Sequence, residues 1–262
     1  MAIKNPLDLK LALVQSRLHW QDKAANFKHF EKLLPQTKGA HLTLLPEMFS
    51  TGFSMKPQAL FDAENGETLA WMQHQAKAYQ TALCGSAIIK TGAHYYNQLF
   101  FVKPGGQYQT YRKRHLFTLA GEEKVYRPGR HKLVLNYRGW RINPQICYDL
   151  RFPAWCRNQE GFDVQLFVAN WPARRSFAWQ SLLTARAIEN QCYVAGLNRV
   201  GPDGNGVEHS GDSCLIDPLG KPIWEAPAGK ETVKTLTLSY ANLAQTRQRF
   251  AFLNDQDSFL IT

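Results

Sequence analysis

Three side chains able to do chemistry close apolar runs in this sequence. Glu47 ends LTLLPE, Lys113 ends YQTYRK, and Cys147 ends INPQIC, after which Tyr148-Asp149-Leu150-Arg151-Phe152-Pro153 turns the chain toward a helix. Reactive groups in α/β sheets collect beyond the carboxyl ends of strands, so all three are well placed if these runs are strands. A cysteine at a strand-to-helix turn sits near helix N-terminal amides, which favour the thiolate and lower the thiol pKa. That is how a nucleophile elbow is built. The three residue types together suit acyl chemistry. A thiolate attacks a carbonyl carbon, a carboxylate takes and returns the proton, and a lysine cation with a backbone amide holds the oxyanion. Loss of ammonia from an amide leaves a thioester, which the same carboxylate can hydrolyse by activating water. Such chemistry calls for no metal and no organic cofactor.

Each residue also has an ordinary reading. Cys147 alone is a small buried hydrophobe. Glu47 alone could cap a helix beginning near Met48, and Lys113 alone is one charge in the run Arg112-Lys113-Arg114-His115. Cys84, Cys192 and Cys214 lie inside apolar runs and are assigned to the core, while Cys156, just beyond the elbow, is a weaker nucleophile candidate. The eight histidines form no H-x-H or H-E-x-x-H pattern, so a metal site is not expected.

The elements that must position these residues follow from periodicity. Strands are predicted over 9–15, 41–47, 82–89, 97–102, 107–113, 140–147, 163–170, 192–198, 212–217 and 232–239, and helices over 22–34, 67–79, 152–159 and 177–191. The second half repeats the element order of the first, pairing Leu9 with Arg141, Leu42 with Leu166 and Leu83 with Tyr193 without residue identity. Two similar βαβ halves, with two sheets inside and helices outside, account for this order. One domain over 1–262 is expected, with a polar C-terminal tail from about 241. Pro144 lies in the strand before the elbow and removes a ladder donor, which predicts a locally irregular strand there.

Composition sets the class. The chain has 262 residues, 44% of them hydrophobic and 20% charged, and a protein of that size buries roughly 70% of its surface without needing a disulfide or metal staple. No run is long and apolar enough for a transmembrane helix, and the N-terminal stretch lacks a signal-peptide core, so a cytoplasmic protein is expected. Five cysteines, an odd number without a C-x-x-C pair, argue against disulfides. The net charge of +10 admits two readings. A nucleic-acid partner is one, but no basic block or recognition motif accompanies the charge, and a small acidic substrate is the other.

At its three chemical blocks the sequence resembles the nitrilase, or carbon-nitrogen hydrolase, superfamily. PEMFSTGF around Glu47, YRKRHLF around Lys113 and ICYDLRFP around Cys147 match the family's blocks in order and approximate spacing, and NWPARR, ARAIENQCYVAGLNRVG and HSGDSCLIDPLG extend the match. The resemblance implies a four-layer α-β-β-α sandwich with Glu47 as general base, Lys113 as oxyanion stabiliser, Cys147 as nucleophile and the Tyr148 amide as second oxyanion donor. It implies a second glutamate as well, for which Glu122 is preferred over Glu123 because it lies seven residues before Gly129. FTLAGEE, CYDLRFPAW and NWPARRSFAW look most like the omega-amidase branch, whose members hydrolyse the distal amide of 2-oxoglutaramate and 2-oxosuccinamate. A carboxylate-bearing substrate needs a cation, which points to Arg151 or Arg174, with Trp171 and Phe117 as pocket walls. Family members form at least homodimers through helices near the nucleophile. The competing expectations are an N-carbamoyl-amino-acid or deaminated-glutathione hydrolase and, in a different class, a basic nucleic-acid-binding module on an inactive scaffold.

Overall fold

The structure, a computed structural model, describes residues 6–261. Its strands are β1 (Leu9–Gln15), β2 (Leu42–Leu44), β3 (Asp62–Ala63), β4 (Ala82–Thr91), β5 (His94–Val102), β6 (Tyr108–Arg112), β7 (Leu135–Tyr137), β8 (Trp140–Ile146), β9 (Val164–Ala169), β10 (Tyr193–Asn198), β11 (Cys214–Ile216), β12 (Pro222–Glu225) and β13 (Thr232–Leu238). The helices are α1 (Lys23–Leu33), α2 (Pro57–Leu60), α3 (Glu67–Tyr79), α4 (Glu122–Val125), α5 (Pro153–Cys156), α6 (Ser176–Asn190) and α7 (Tyr240–Arg249).

One sheet runs β13-β1-β2-β4-β5-β6, with β3 added beside β4, and the other runs β12-β11-β10-β9-β8-β7. Read from opposite ends the two orders correspond. In each, three parallel strands (β1, β2, β4 and β8, β9, β10) are flanked by antiparallel neighbours. The expected repeat is therefore the architecture, and it forms the α-β-β-α sandwich. Alternation along β1 divides its side chains between layers. Leu9, Leu11 and Leu13 join Leu42, Leu44, Ile142, Ile146, Leu166 and Val168 in one buried cluster. Val14 joins Phe27 and Phe30 of α1 and Met72 and Ala76 of α3 in another. On the second sheet, α6 contributes Trp179, Leu183 and Ala187.

Several boundaries differ from the periodicity, each for a physical reason. The predicted strand 41–47 is cut to Leu42–Leu44, since Pro46 has no N–H to give and Met48 turns the chain with φ +43°. No helix starts at Met48. The strand through Pro144 is regular, with Ile142 to Ile146 in continuous register beside β9. On its other flank β7 pairs only through Ile142, so the proline stands where one side carries no ladder. β7 and β12 were not predicted because they are short, and β12 is largely exposed. The polar segment from about 241 is not an unstructured tail at its start. It forms α7, with only Leu243 fully buried, so apolar periodicity gave no signal.

Polar contacts hold α7 in place. Arg247 donates to Asp163 Oδ1 (2.9 Å) and to the carbonyls of Phe162 (2.6 Å) and Gln191 (2.9 Å). Burial pushes the Asp163 carboxyl up from its ordinary pKa, against the pull of the Arg141 amide and Arg247. Replacing Arg247 by Ala leaves that carboxylate short of a partner, with an expected loss of about 2 kcal/mol in stability. A denaturant midpoint unchanged from wild type would contradict this account of the C-terminal helix.

Candidate active site

Four segments converge at the carboxyl ends of the strands. Glu47 follows β2, where Met48 N–H donates to Ser86 Oγ (2.9 Å) and Phe49 N–H to the Ser86 carbonyl (3.1 Å), pinning the turn to β4. Lys113 follows β6, its N–H donating to the Asn97 carbonyl on β5 (3.0 Å) and its carbonyl accepting from Gly129 (2.8 Å). A Cβ on Gly129 would lie 2.1 Å from the Arg112 carbonyl oxygen, so only glycine lets this loop rest on the lysine strand. Cys147 follows β8 with φ +45°, a sparsely populated conformation for a non-glycine residue that lifts the side chain off the strand end. Asn170 follows β9.

The charged groups meet out of contact with water. Glu47 and Glu122 are 0% exposed and Lys113 is 1% exposed. Lys113 Nζ lies 2.9 Å from Glu47 Oε1, 3.0 Å from Glu122 Oε1 and 2.9 Å from Glu122 Oε2. Glu47 Oε2 accepts the Asn170 N–H (2.9 Å), and Glu122 Oε2 accepts the Phe117 N–H (2.6 Å). Burial by itself would lower the lysine pKa, but Glu122 and Glu47 outweigh it and hold the ammonium protonated, above its ordinary range. Burial raises the Glu122 pKa, and Lys113 opposes that. Of the adjacent pair, Glu122 is inside this network and Glu123 is exposed to solvent.

Cys147 Sγ lies 4.0 Å from the Asn170 carbonyl oxygen. Its pKa is the reverse of the sequence expectation. Burial pushes the thiol up and the negative charge of Glu47 pushes it further, while Lys113 pulls it down without prevailing. The helix after the cysteine is a five-residue 3₁₀ segment, Cys147–Arg151, too short to build the dipole that the turn suggested. The resting group is a thiol, so its proton must leave as the sulfur attacks. An adjacent carboxylate, Glu47, is the acceptor available.

A cavity of about 510 Å³ opens above these groups, within the range of roughly 300–1,000 Å³ usual for small-molecule sites. Glu47, Lys113 and Cys147 line it together with Tyr148, Arg151, Trp171, Arg174 and Phe117. Glu122 lies behind Lys113. Arg151 stacks over Trp171 at 4.9 Å and Arg175, not singled out from the sequence, over Phe117 at 5.1 Å. Burial, then the neighbouring Arg174, lowers the Arg175 pKa. Trp20 forms another wall against Gly204, where a Cβ would come within 2.2 Å of the indole. The pattern suits a small substrate with a carbonyl at the thiol and an anionic group toward the arginines.

The carbon-nitrogen hydrolase family model matches residues 10–248. The chain belongs to the carbon-nitrogen hydrolase family. It is 45% identical to the omega-amidase YafV of Escherichia coli over 96% of this chain and 98% of that one. It is 30% identical to a 2-oxoglutaramate amidase of Bacillus subtilis over 94% and 96%. A crystal structure of a CN-hydrolase superfamily protein from Xanthomonas campestris, with an arsenic adduct in its active site, superposes with a TM-score of 0.95 at 45% identity, covering 97% of this chain and 99% of that one. This carbon-nitrogen hydrolase groups with the omega-amidase branch and is a hydrolase of non-peptide C–N bonds.

Two features of the hydrolase escaped sequence reading. Asp149, two residues past the cysteine and wholly buried, accepts from Ile146 N–H (3.2 Å), His115 N–H (2.9 Å), His115 Nδ1 (2.9 Å) and Tyr111 OH (2.7 Å). One carboxylate thus ties the cysteine elbow to the lysine segment, and Asp149→Ala is expected to lower kcat at least tenfold by loosening that register. Unchanged steady-state kinetics in the folded variant would refute it. His209 forms part of the cavity wall. Burial, assisted by the Arg199 cation, lowers its pKa from 6.5 to about 4. The fold therefore holds it neutral, and its contribution is complete above pH 6.5 and lost as pH falls toward 4, about 3 kcal/mol in all. Denaturant unfolding across that window should show the loss, and His209→Gln should flatten it.

Proposed function

We propose that this hydrolase is a thiol amidase that cleaves the distal amide of small 2-oxo acid amides such as 2-oxoglutaramate and 2-oxosuccinamate. The observation that carries the proposal is a buried thiol, carboxylate and ammonium at the base of a cavity that Arg151, Arg174 and Arg175 also line. The relatives named omega-amidase and 2-oxoglutaramate amidase support the same substrate class.

Cys147 Sγ attacks the amide carbon while Glu47 takes its proton. Lys113 and the Tyr148 N–H stabilise the oxyanion, each worth about two to three powers of ten in rate in a water-poor site. Glu47 returns the proton to the departing nitrogen, which leaves as ammonia and yields the thioester. Water then attacks that carbon, Glu47 accepts its proton, and collapse releases the carboxylic acid and restores the thiol. Glu122 holds Lys113 in place. The arginines receive the remote carboxylate, with Trp171 and Phe117 as walls, which gives part of the +10 charge a use other than nucleic-acid binding.

Five free, buried cysteines support a reducing, cytoplasmic location. No described helix is long and apolar enough to cross a membrane. The exposed Phe177 (83%) and Ile188 (53%) on α6 support a homodimer through the helices near the cysteine. The chain is read as a single domain.

Cys147→Ala is expected to abolish ammonia release with the fold intact, and Glu47→Gln to abolish turnover while substrate binding persists. Arg151→Ala and Arg174→Ala are each expected to raise KM for 2-oxoglutaramate about tenfold, about 1.4 kcal/mol, and to leave neutral short amides unaffected. A panel of 2-oxoglutaramate, N-carbamoyl-amino acids and deaminated glutathione decides the substrate. Turnover of either of the latter two without the first overturns the proposal.

A further inference from the structure

Asn97 was not among the residues singled out for chemistry, although it lies in the apolar run YYNQLFF. It sits on β5, 0% exposed, and touches both carboxylates of the site and the backbone of Lys113. Its Nδ2 lies 2.8 Å from Glu47 Oε1 and 3.4 Å from Glu122 Oε1, and its carbonyl accepts the Lys113 N–H at 3.0 Å. Its own Oδ1 is buried without a hydrogen-bond partner among the described residues. An orphaned acceptor costs free energy that an apolar side chain in this strand would avoid. The reverse amide orientation would face Oδ1 toward two carboxylate oxygens, so the N–H group is what the position uses.

The need for a second donor follows from counting. An ammonium has three N–H donors, and Lys113 Nζ already faces three carboxylate oxygens, Glu47 Oε1 and both oxygens of Glu122. To donate to an oxyanion it must give up one of them. Glu122 Oε2 keeps the Phe117 N–H, and Glu47 Oε2 keeps the Asn170 N–H. Among the described residues, Glu47 Oε1 has, besides Lys113, only Asn97.

We propose that Asn97 is a positioning residue that keeps the Glu47 carboxylate anchored when Lys113 turns from Glu47 Oε1 to the oxyanion. This rests on Glu47 acting as the base. With Oε1 held by Asn97 and Oε2 by the Asn170 N–H, the carboxylate keeps its orientation while it takes the proton, and the lysine is free to follow the developing charge. The interaction matters in the transition state more than in the bound substrate, so its loss lowers kcat rather than raising KM.

The test compares Asn97→Ala and Asn97→Asp with wild type. Asn97→Ala is expected to lower kcat between about 10- and 100-fold with KM within about twofold. In Asn97→Asp, nearly identical in shape, a donor returns only when the new carboxyl is protonated. The ratio of variant to wild-type kcat should therefore rise as pH is lowered from 8 to 6, a response that a packing role would not produce. Should the alanine variant fail to fold, the pH dependence of Asn97→Asp decides alone. Wild-type kcat in folded Asn97→Ala, or a pH-independent ratio in Asn97→Asp, overturns the assignment. The same variants are followed by iodoacetamide alkylation of Cys147, which needs no particular substrate. Asn97-dependent alkylation in a wild-type enzyme inert toward 2-oxoglutaramate would remove the substrate assignment and leave this one standing.

Discussion

An ammonium group cut off from water is held between two carboxylates equally cut off. Desolvating any one of the three alone would cost several kcal/mol, and only their mutual approach makes the burial tolerable. Lys113, Glu47 and Glu122 therefore have to arrive together, from the ends of two strands and from the short helix α4. Much of the surrounding architecture serves that meeting. Gly129 allows the α4 loop to lie on the lysine strand, Ser86 pins the turn after Glu47, and Asp149 ties the cysteine elbow to the lysine segment. Burial, and then the negative charge of Glu47, hold Cys147 as a thiol against the pull of Lys113.

The sheet pattern explains why the site can be both rigid and reactive. Strands β2 and β9 lie inside their sheets and β8 lies second from its edge, and they carry Glu47, Asn170 and Cys147 at their carboxyl ends. Their side chains cannot drift without moving a packed layer. The cavity wall is of a different kind. Trp20, the loop through Gly204 and the arginines come from turns and helix starts, where changes of shape cost less, and substrate size is set there.

How much of this was legible in the sequence depended on how local its cause is. β1 and α3 agree residue for residue with the periodicity, because their apolar spacing is strong and a residue with turn character bounds each. Glu47, Lys113 and Cys147 were visible as polar ends of apolar runs. Asn97 was visible only as a polar residue inside such a run, a signal that says it must find partners but not which. Asp149 lay within a quoted block, yet its four donors come from segments up to 38 residues away. The thiol's pKa was misread because burial and the charge of Glu47, 100 positions earlier, outweigh the turn that carries it. Helix α7 was missed because its apolar face is small, Leu243 with Tyr240, and ion pairing supplies much of its hold.

The pairing of β13 with β1 carries a consequence for synthesis. All seven residues of the first strand, Leu9 to Gln15, find their antiparallel partners in Thr232 to Leu238, near the end of the chain. While the chain emerges from the ribosome, the first half can lay down β1, β2, β4, β5 and β6, but the β1 edge of that sheet stays open until β13 has been made. An unpaired edge invites pairing with another nascent chain. β13 therefore closes the edge left by β1, and in the interval between them that edge is exposed to misassembly.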